Sequence, residues 1–451
     1  MSLRYFGTDG IRGRYGECPI TVNFAWRLGC ALANFLASKK PGVPLNFVVG
    51  RDPRKGGELL FNTLASALSS SRIFVHDAGV VPTPAIAQAV VELSADMGLM
   101  ITASHNPAQD NGFKLFDAKG TKLTLEEELE IEQLIDAESN PCAVIPKLKC
   151  YPIDALARYI NAKCALMDEY SLHGMKIVVD TANGAMASAA PEVFKRMGAT
   201  VFLIGDCPNG ENINDAVGSE YPADMVLKVR ESKAQMGVAF DGDGDRLVVC
   251  DELGQLVDGD QLLGIFALDA LREDRLKGRV LVSTIQSNLG LDSAVMAAGG
   301  RVERVAVGDR HVAQTMRKLG ANLGGENSGH IVLSDFSTTG DGLLAACQLV
   351  NVMRKRQLAL SELSSAITLF PQITRNLTIV EKKPVQNLFN LNAEMKAFEE
   401  RFGSEGRILM RYSGTESKLR LLVEQNDINA LKCIMDGLVR AAKCDLEVIT
   451  N

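Results

Sequence analysis

The sequence predicts an α/β protein: three similar α/β domains with mixed, largely parallel sheets, and a smaller α+β domain at the end of the chain. Three observations lead to this fold class. Apolar runs typical of buried strands alternate with stretches of helical spacing over most of the chain, which is the pattern of βαβ units. The 451 residues exceed what one core usually holds, so several domains are expected. After residues 370–372 (FPQ) the alternation ends and a strand pair follows.

The elements follow one another regularly through the first three domains. A short strand-like run at 46–50 is followed by helical spacing at 59–70, and this order recurs. Other strand-like runs are predicted at 97–101, 176–180, 237–240, 247–250 and 279–283. The predicted domains span 1–150, 151–253, 254–367 and 368–451.

The last domain is predicted to contain a β-hairpin with flanking helices. Its strands are expected at 407–411 and 418–424, on either side of a turn.

In the first domain, the acidic helical segment 126–132 is interpreted as a solvated helix face.

The bulk composition excludes several classes of function. A net charge of -7 and a pI near 5.5 argue against a nucleic-acid partner. No run of about 18 apolar residues is present, so no membrane span is expected, and the first residues lack the apolar stretch of a signal peptide. The ten cysteines include no Cys-x-x-Cys pair and several lie inside apolar runs, which indicates reduced, buried thiols in a cytoplasmic protein. None has a basic partner nearby in sequence, so none is expected to act in catalysis. A monomer and a homodimer are both compatible with this composition.

The run DGDGDR at 241–246 is the most informative motif. Asp241, Asp243 and Asp245 alternate with glycines, so an extended loop projects three carboxylates to one side, where a hard divalent cation such as Mg²⁺ relieves their repulsion. Arg246 adds a planar fork that suits phosphate. A helix–loop–helix calcium site is excluded because its sixth position requires glycine and because strand-like runs flank the motif. A solvated acidic turn is the alternative from these residues alone.

A second candidate loop follows the strand predicted at 97–101. In residues 102–107 (TASHNP), Ser104 lies beside His105 at the end of a buried-type strand, where open α/β sheets bind ligands. A serine in this setting suggests a nucleophilic or phosphorylated hydroxyl, and Lys114 lies close enough in sequence to serve the same site. On these residues alone, an ordinary turn and a solvated lysine are the commoner interpretations.

Three further loops are rich in glycine and polar groups. Residues 324–330 (GGENSGH) carry the donors and acceptors that sugar hydroxyls need. Residues 411–417 (RYSGTES) are typical of an anion nest between two strands, and residues 6–13 (FGTDGIRG) place Arg12 where it could reach a phosphate. A surface loop, a hairpin turn and a plain loop are the respective alternatives.

Together, the motifs at 6–13, 102–107, 241–246, 325–330 and 411–416 resemble those of the α-D-phosphohexomutase superfamily, in order and in spacing, over essentially the whole chain. The resemblance implies four domains around a central cleft. It also implies that Ser104 carries a phosphate, an oxygen of which binds Mg²⁺ together with Asp241, Asp243 and Asp245. Residues implied to act in catalysis, besides Ser104, are Arg12, His105, Lys114 and Arg246. Residues implied to bind substrate are Gly308, Asp309, Arg310, Glu326, Ser328, His330, Arg411, Ser413, Gly414 and Thr415.

The activity implied by this resemblance is the interconversion of glucosamine 6-phosphate and glucosamine 1-phosphate. Mg²⁺ and glucosamine 1,6-bisphosphate are the implied cofactors. The opening motif and residues 338–342 (TTGDG) favour the amino sugar over a phosphomannomutase or phosphoglucomutase of the same superfamily. A haloacid-dehalogenase-type phosphatase fits less well because Asp245 stands where that class has Thr or Val. A non-catalytic sugar-phosphate sensor fits less well because Ser104 and the three aspartates are intact.

The sequence departs from the family pattern at five positions. Tyr412 and Ser417 stand where proline is usual, Asn327 where glutamine is usual, His311 where tyrosine is usual, and Gly56 where serine is usual. These changes bear on loop stiffness and affinity more than on the type of reaction.

Overall fold

The computed structural model describes residues 3–138, 149–168, 171–413 and 417–449. Within these ranges the chain forms four sheets with helices packed against them. Three sheets are mixed and mostly parallel and the fourth is antiparallel, which confirms the predicted fold class. No helix of the described ranges is long and apolar enough to span a bilayer.

The first sheet has six strands. Its elements are β1 (Ile11–Arg14), α1 (Val22–Lys39), β2 (Leu45–Arg51), α2 (Gly57–Ser70), β3 (Ile73–Val80), α3 (Thr83–Glu92), β4 (Met97–Ile101), β5 (Asp110–Asp117), α4 (Leu125–Ala137) and β6 (Cys150–Pro152). The strand order is β1-β5-β4-β2-β3-β6, and β5 runs antiparallel to both of its neighbours.

The second and third sheets repeat this plan with fewer strands. The elements of the second are α5 (Ala155–Cys164), β7 (Lys176–Asp180), α6 (Ala190–Arg196), β8 (Thr200–Ile204), α7 (Ala223–Ser232), β9 (Met236–Phe240), β10 (Leu247–Asp251) and β11 (Leu256–Val257), with strand order β11-β10-β9-β7-β8. The elements of the third are α8 (Gly259–Arg272), β12 (Val280–Thr284), α9 (Leu289–Ala297), β13 (Arg301–Val305), α10 (Asp309–Leu319), β14 (Leu323–Gly325), β15 (Ile331–Leu333), α11 (Gly342–Arg356) and α12 (Leu360–Ser365), with strand order β13-β12-β14-β15.

The fourth sheet has the strand order β16-β18-β17 and two covering helices. Its elements are β16 (Gln372–Thr378), α13 (Phe389–Phe402), β17 (Gly406–Tyr412), β18 (Lys418–Gln425) and α14 (Ile428–Asp445). The predicted hairpin with flanking helices is therefore present. The other strands and the helix predicted from the sequence also lie within two residues of their predicted bounds.

Four of the five candidate loops join two antiparallel neighbours of a sheet, whereas the loop at 6–13 leads into β1. Residues 102–109 connect β4 to β5, and 241–246 connect β9 to β10. Residues 326–330 connect β14 to β15, and 413–417 connect β17 to β18. The same structural position thus carries a polar loop in all four sheets.

The apolar core joins the first three sheets into one body. A single cluster of buried side chains runs from α3 through α5 and α6 to α8 and α11. The fourth sheet has a core of its own, which includes Leu419, Leu421 and Val423. The loops of the first three sheets are therefore held in fixed relative positions by shared packing.

The acidic segment of α4 corrects the interpretation made from the sequence. Glu128 and Glu132 are buried, not solvated. Glu132 accepts hydrogen bonds from the backbone amides of residues 4–6, and Glu128 accepts one from Arg310. Glu126 of the same segment is exposed, so the prediction of a solvated face was wrong for Glu128 and Glu132, whose partners come from distant parts of the chain that local charge spacing does not reveal.

Candidate active site

The loop that carries Ser104 leaves β4 in a strained conformation. Ser104 is fully buried and has φ 53°, in the left-handed region that non-glycine residues seldom adopt. Arg54 donates to the carbonyl oxygens of Ser104 and Asn106 at 2.7 and 2.8 Å. Asn214 donates to the same two oxygens, each at 2.9 Å. Donors from loops of the first and second domains together therefore fix the loop.

The Ser104 hydroxyl points at the 241–246 loop. Its Oγ donates a hydrogen bond of 2.5 Å to Asp241 Oδ2, and Nδ1 of His105 lies 3.3 Å from the same Oγ. Burial, followed by the charges of Arg246 and Arg12, lowers the pKa of His105 to about 4, so its imidazole is neutral at pH 7. A neutral imidazole at this distance can accept a proton from a reacting hydroxyl.

Asp241, Asp243 and Asp245 converge beyond the end of β9. All three are buried, and one oxygen of each lies within 4.8 Å of the others. Thr83 Oγ1 donates to Asp243 Oδ2 at 2.5 Å. Oδ1 of Asp243 and Oδ1 of Asp245 are buried without a hydrogen-bond partner, which is costly for carboxylates unless a cation satisfies them. This aspartate triad therefore fits a hard divalent cation.

Burial and neighbouring charges shift the pKa values of Asp241 and Asp245 in opposite directions. Burial, followed by the charges of Asp243 and Asp245, raises the pKa of Asp241 well above its usual range. Burial also acts to raise the pKa of Asp245, but Lys114 and His330 outweigh it and hold that pKa well below its usual range. The carboxylate beside Ser104 is thus the one that most needs a neighbouring positive charge to stay ionised.

Three basic side chains face this group. Lys114 is fully buried on β5, with its Nζ 2.7 Å from Asp243 Oδ2 and 2.5 Å from Asp245 Oδ2, so the interpretation of a solvated lysine was wrong. Nε of Arg12 is buried without a hydrogen-bond partner and remains available to an anion. The backbone amide of Arg246 donates to the triad, and its side chain is 19% exposed. Buried carboxylates and largely buried guanidinium groups in one place suit a metal-assisted phosphoryl group.

The loop between β14 and β15 brings a second set of polar groups to the triad. His330 is buried, with Nδ1 3.8 Å from Asp245 Oδ1. Burial lowers its pKa, but Asp245 outweighs burial and raises that pKa to about 9, so His330 is a cation at pH 7. Glu326 accepts a hydrogen bond of 2.9 Å from the backbone amide of Gly308, and Ser328 is exposed at the tip of the loop. The loop therefore offers a cation, a carboxylate and a hydroxyl.

Asp309 and Arg310 are engaged by the first domain. Lys122 lies 2.9 Å from Asp309, and the guanidinium of Arg310 donates to Glu128 at 2.7 Å and to the carbonyl oxygen of Gly7 at 3.0 Å. The structure gives these two side chains an interdomain role. Substrate binding by them stays a prediction.

The fourth domain presents Arg411 directly opposite Arg420 in the β17–β18 ladder. Burial and the neighbouring Arg420 charge lower the pKa of Arg411, so an anion placed between the two guanidinium groups would relieve their repulsion. Ser413 is buried at the end of β17. Gly414 and Thr415 lie outside the described residues. Within the described part of the chain, no hydrogen bond joins Arg411 to the Ser104 loop.

Sequence reasoning missed five residues that shape the site. They are Asp9, Arg54, Thr83, Lys122 and Asn214. Asp9 lies in the motif at 6–13, and a search for counter-ions to Lys114 could have selected it. The other four carry no local signal, because each acts on a loop or side chain far away in sequence.

Replacing Arg54 by methionine is expected to destabilise the first domain. Arg54 forms a fully buried ion pair with Asp52 at 2.9 Å, and leaving that carboxylate unpaired costs about 3–5 kcal/mol. The single tryptophan, Trp26, lies in α1, so its fluorescence during urea unfolding reports on this domain. The midpoint should fall in Arg54→Met and recover partly in Asp52→Asn/Arg54→Met. An unchanged midpoint would contradict the role given to this pair.

Known families match the chain along nearly its whole length. Four models of the phosphoglucomutase/phosphomannomutase family match: α/β/α domain I at residues 3–141, α/β/α domain II at 154–254, α/β/α domain III at 258–370, and the C-terminal domain at 375–441.

Named relatives and solved structures agree with this assignment. The phosphoglucosamine mutase of Pelobacter propionicus is 45% identical over 94% of both chains, and that of Bartonella quintana is 43% identical over 97% of this chain and 96% of its own. A phosphoglucomutase/phosphomannomutase family protein from Burkholderia thailandensis shares the fold with TM-score 0.81 at 24% identity, over 99% of this chain and 100% of its own. The N-acetylphosphoglucosamine mutase of Aspergillus fumigatus, solved with GlcNAc-6P and magnesium, shares it with TM-score 0.70 at 17% identity, over 98% and 96%. The chain therefore belongs to the phosphoglucosamine mutase family, within the α-D-phosphohexomutase superfamily.

Proposed function

We propose that this protein interconverts glucosamine 6-phosphate and glucosamine 1-phosphate through a phosphoserine at position 104 and a bisphosphorylated sugar. One observation carries the proposal: the buried Ser104 Oγ lies 2.5 Å from Asp241 Oδ2, and the other two carboxylates of the triad each have a buried oxygen without a hydrogen-bond partner. A hydroxyl held against a cation-binding group is placed to exchange a phosphoryl group.

Mg²⁺ is the proposed metal. Asp241, Asp243, Asp245 and an oxygen of the Ser104 phosphate would hold it, and it would offset negative charge on the transferring group. Arg12 and Arg246 are proposed to contact the same phosphate, since guanidinium groups match its geometry.

The transfer step uses His105, which lies beside the Ser104 hydroxyl, and Lys114, which contacts the aspartate triad. A sugar hydroxyl oxygen forms a bond to phosphorus as the bond from phosphorus to Ser104 Oγ breaks, and the electron pair of that bond stays on Oγ. His105, which is neutral, accepts the proton of the attacking hydroxyl. Lys114 stays protonated and offsets the charge that develops on Oγ. The reverse step returns the other phosphate of the bisphosphate to Ser104.

Recognition of the sugar is proposed for the two remaining loops. Glu326, Ser328 and His330 offer an acceptor, a hydroxyl and a charged donor for sugar hydroxyls, and the backbone around Gly308 supports Glu326. Arg411 and Ser413, with Gly414 and Thr415, are proposed to bind the phosphate that is not being transferred. The intermediate, glucosamine 1,6-bisphosphate, would also restore phosphorylation of Ser104 after accidental hydrolysis.

A phosphomannomutase or phosphoglucomutase is the second candidate, because the same residues would transfer phosphate to any hexose. The relatives that share 43–45% identity with this chain are phosphoglucosamine mutases, which favours the amino sugar.

The cysteines of the described ranges are all free thiols, which supports the further proposal of a cytoplasmic location.

A substrate panel tests the proposal. Initial rates with glucosamine, glucose and mannose 1-phosphates, each with its bisphosphate, should show the highest kcat/KM for glucosamine 1-phosphate. Intact-mass spectrometry before and after addition of the bisphosphate should show gain of one phosphoryl group. A higher kcat/KM for mannose or glucose 1-phosphate would favour the second candidate, and release of free phosphate without isomerisation would indicate a phosphatase.

Replacing Arg411 by alanine is expected to weaken binding of sugar phosphate. The loss of a charged hydrogen bond should cost about 1.5–3 kcal/mol, or roughly tenfold to a hundredfold in Kd. Arg411→Lys should recover only part, because an ammonium cannot make the bidentate contact. Arg375→Ala is the matched control, since Arg375 is exposed on β16 of the same sheet. Equal Kd values in isothermal titration of all four proteins would remove the phosphate-binding role from Arg411.

A further inference from the structure

Asp9, in the turn before β1, is contacted by three basic side chains. Its carboxylate pairs with Arg12 and with Lys122, and its Oδ2 lies 3.1 Å from Lys114 Nζ. Lys122 in turn lies 2.9 Å from Asp309 at the start of α10. Asp9 is therefore held by three basic side chains of the first domain, one of which also contacts the third domain.

Backbone contacts fix the turn that carries Asp9. Gly7 N–H donates to Gly10 O at 2.8 Å. Gly10 has φ 88°, and a Cβ there would lie 2.3 Å from the carbonyl oxygen of Phe113. The turn thus packs directly on the backbone of β5 next to Lys114. Asp9 cannot move far from Lys114 without breaking this contact.

Lys114 and a divalent cation would compete for the same carboxylates. The ammonium lies within 2.7 Å of Asp243 Oδ2 and Asp245 Oδ2, in the triad proposed to bind Mg²⁺. An ion of charge +2 bound there repels the ammonium and withdraws negative charge from its two partners. Lys114 is fully buried, so it cannot turn to solvent and needs another carboxylate close by. Asp9 is that carboxylate.

We propose that Asp9 is a positioning residue that takes over Lys114 as its counter-ion when a divalent cation occupies the aspartate triad. The inference rests on the proposed metal site. Without Asp9, the cation would have to bind beside an uncompensated buried ammonium. Asp9 would thus raise the affinity of the triad for metal and keep the charged Lys114 within the site in the metal-loaded protein.

A double-mutant cycle on metal affinity tests this role without turnover. Mg²⁺ binding is measured by isothermal titration in the full-length wild type, Asp9→Asn, Lys114→Met and the double variant, after removal of metal with chelator. Asp9→Asn should raise the Kd for Mg²⁺ about tenfold in the wild-type background and leave it unchanged in the Lys114→Met background. Asp9→Glu should restore most of the affinity.

The outcomes separate this inference from the function on which it rests. An equal rise in Kd in both backgrounds would overturn the inference, because Asp9 would then act on the cation by its charge alone. An unchanged Kd in Asp9→Asn would also overturn it while leaving the metal site in place. Absence of Mg²⁺ binding by the wild type would overturn the proposed metal site itself.

A structure of the Mg²⁺-loaded protein serves as a second test that needs no variant. Lys114 Nζ should lie within hydrogen-bond distance of Asp9 and farther from Asp243 and Asp245 than it does here. Retention of both triad contacts beside the bound cation would overturn the inference.

Discussion

Replacing Ser104 by alanine is expected to abolish isomerisation while the fold survives. The Ser104 hydroxyl lies 2.5 Å from Asp241 Oδ2 and 3.3 Å from His105 Nδ1. Alanine has no hydroxyl, so the variant has no group at this position that could carry the phosphoryl group. Turnover should fall by roughly 10⁴-fold or more, the order of loss that follows removal of a catalytic nucleophile. The residual rate in a coupled assay and the phosphopeptide map after exposure to bisphosphate are the two measurements.

The matched control is Ser70→Ala. Ser70 is exposed at the end of α2, where its hydroxyl donates only to the helix backbone. This variant should keep wild-type turnover and should still be phosphorylated at Ser104. Near-normal turnover in Ser104→Ala, or a phosphate mapped to another residue, would rule out the proposed mechanism.

Local patterns predicted the strands and the loops well, for a physical reason. A buried strand must be apolar along most of its length, and a polar loop at its end interrupts that pattern visibly, as at Asp241 after β9. The connections from β4 to β5 and from β9 to β10 are short, so each loop is defined by residues adjacent in sequence. Strand bounds and loop positions are therefore local properties of the chain.

Contacts between the domains could not be predicted in this way. Glu128 pairs with Arg310, 182 positions away, and Lys122 pairs with Asp309 across the same boundary. Charge spacing along α4 indicates a solvated face because it contains no information about what packs on the helix. Asp9 was missed for the same reason, since Asp9 lies in the turn before β1 and its partner Lys114 lies on β5.

The TTGDG segment at 338–342 has structural contacts that its motif did not reveal. Asp341 caps α11 and forms a buried ion pair with Lys163 at 2.7 Å, and Thr338 donates to the carbonyl oxygen of Gly120 in the first domain. A Cβ at Gly340 would lie 2.4 Å from the ring of His330. The segment therefore connects three domains and packs against the proposed sugar-binding histidine.

The departure at Gly56 also has a local explanation. Gly56 has φ 84°, and a Cβ there would lie 2.4 Å from the ring of Tyr15. Any side chain at this position would be strained by the backbone and would collide with the tyrosine. Glycine at 56 and tyrosine at 15 thus form a compatible pair.

Tyr412, another departure, donates its hydroxyl to the carbonyl oxygen of Lys383 at 2.8 Å, which connects the end of β17 to a neighbouring loop.

Replacing Asp243 by asparagine is expected to cause the second largest loss of activity. Asp243 Oδ1 is buried without a partner, and an amide in its place removes a negative charge and can direct an N–H group at the cation. Affinity for Mg²⁺ should fall, and turnover at ordinary Mg²⁺ should drop by roughly 10²–10³-fold, the usual loss when a charge-stabilising group is removed. Because the defect lies in metal binding, raising the Mg²⁺ concentration should restore part of the rate.

Titration of activity against Mg²⁺ after chelator treatment is the measurement, with Asp224→Asn as the control. Asp224 is an exposed aspartate on α7, so the same chemical change there should leave the Mg²⁺ dependence of the rate unaltered. Wild-type enzyme should lose its turnover in chelator and regain it with Mg²⁺. Full activity in chelator would show that the triad serves another purpose. In that case Lys114 and His330, the cations that the described residues pair with Asp243 and Asp245, would be the groups that neutralise these two carboxylates.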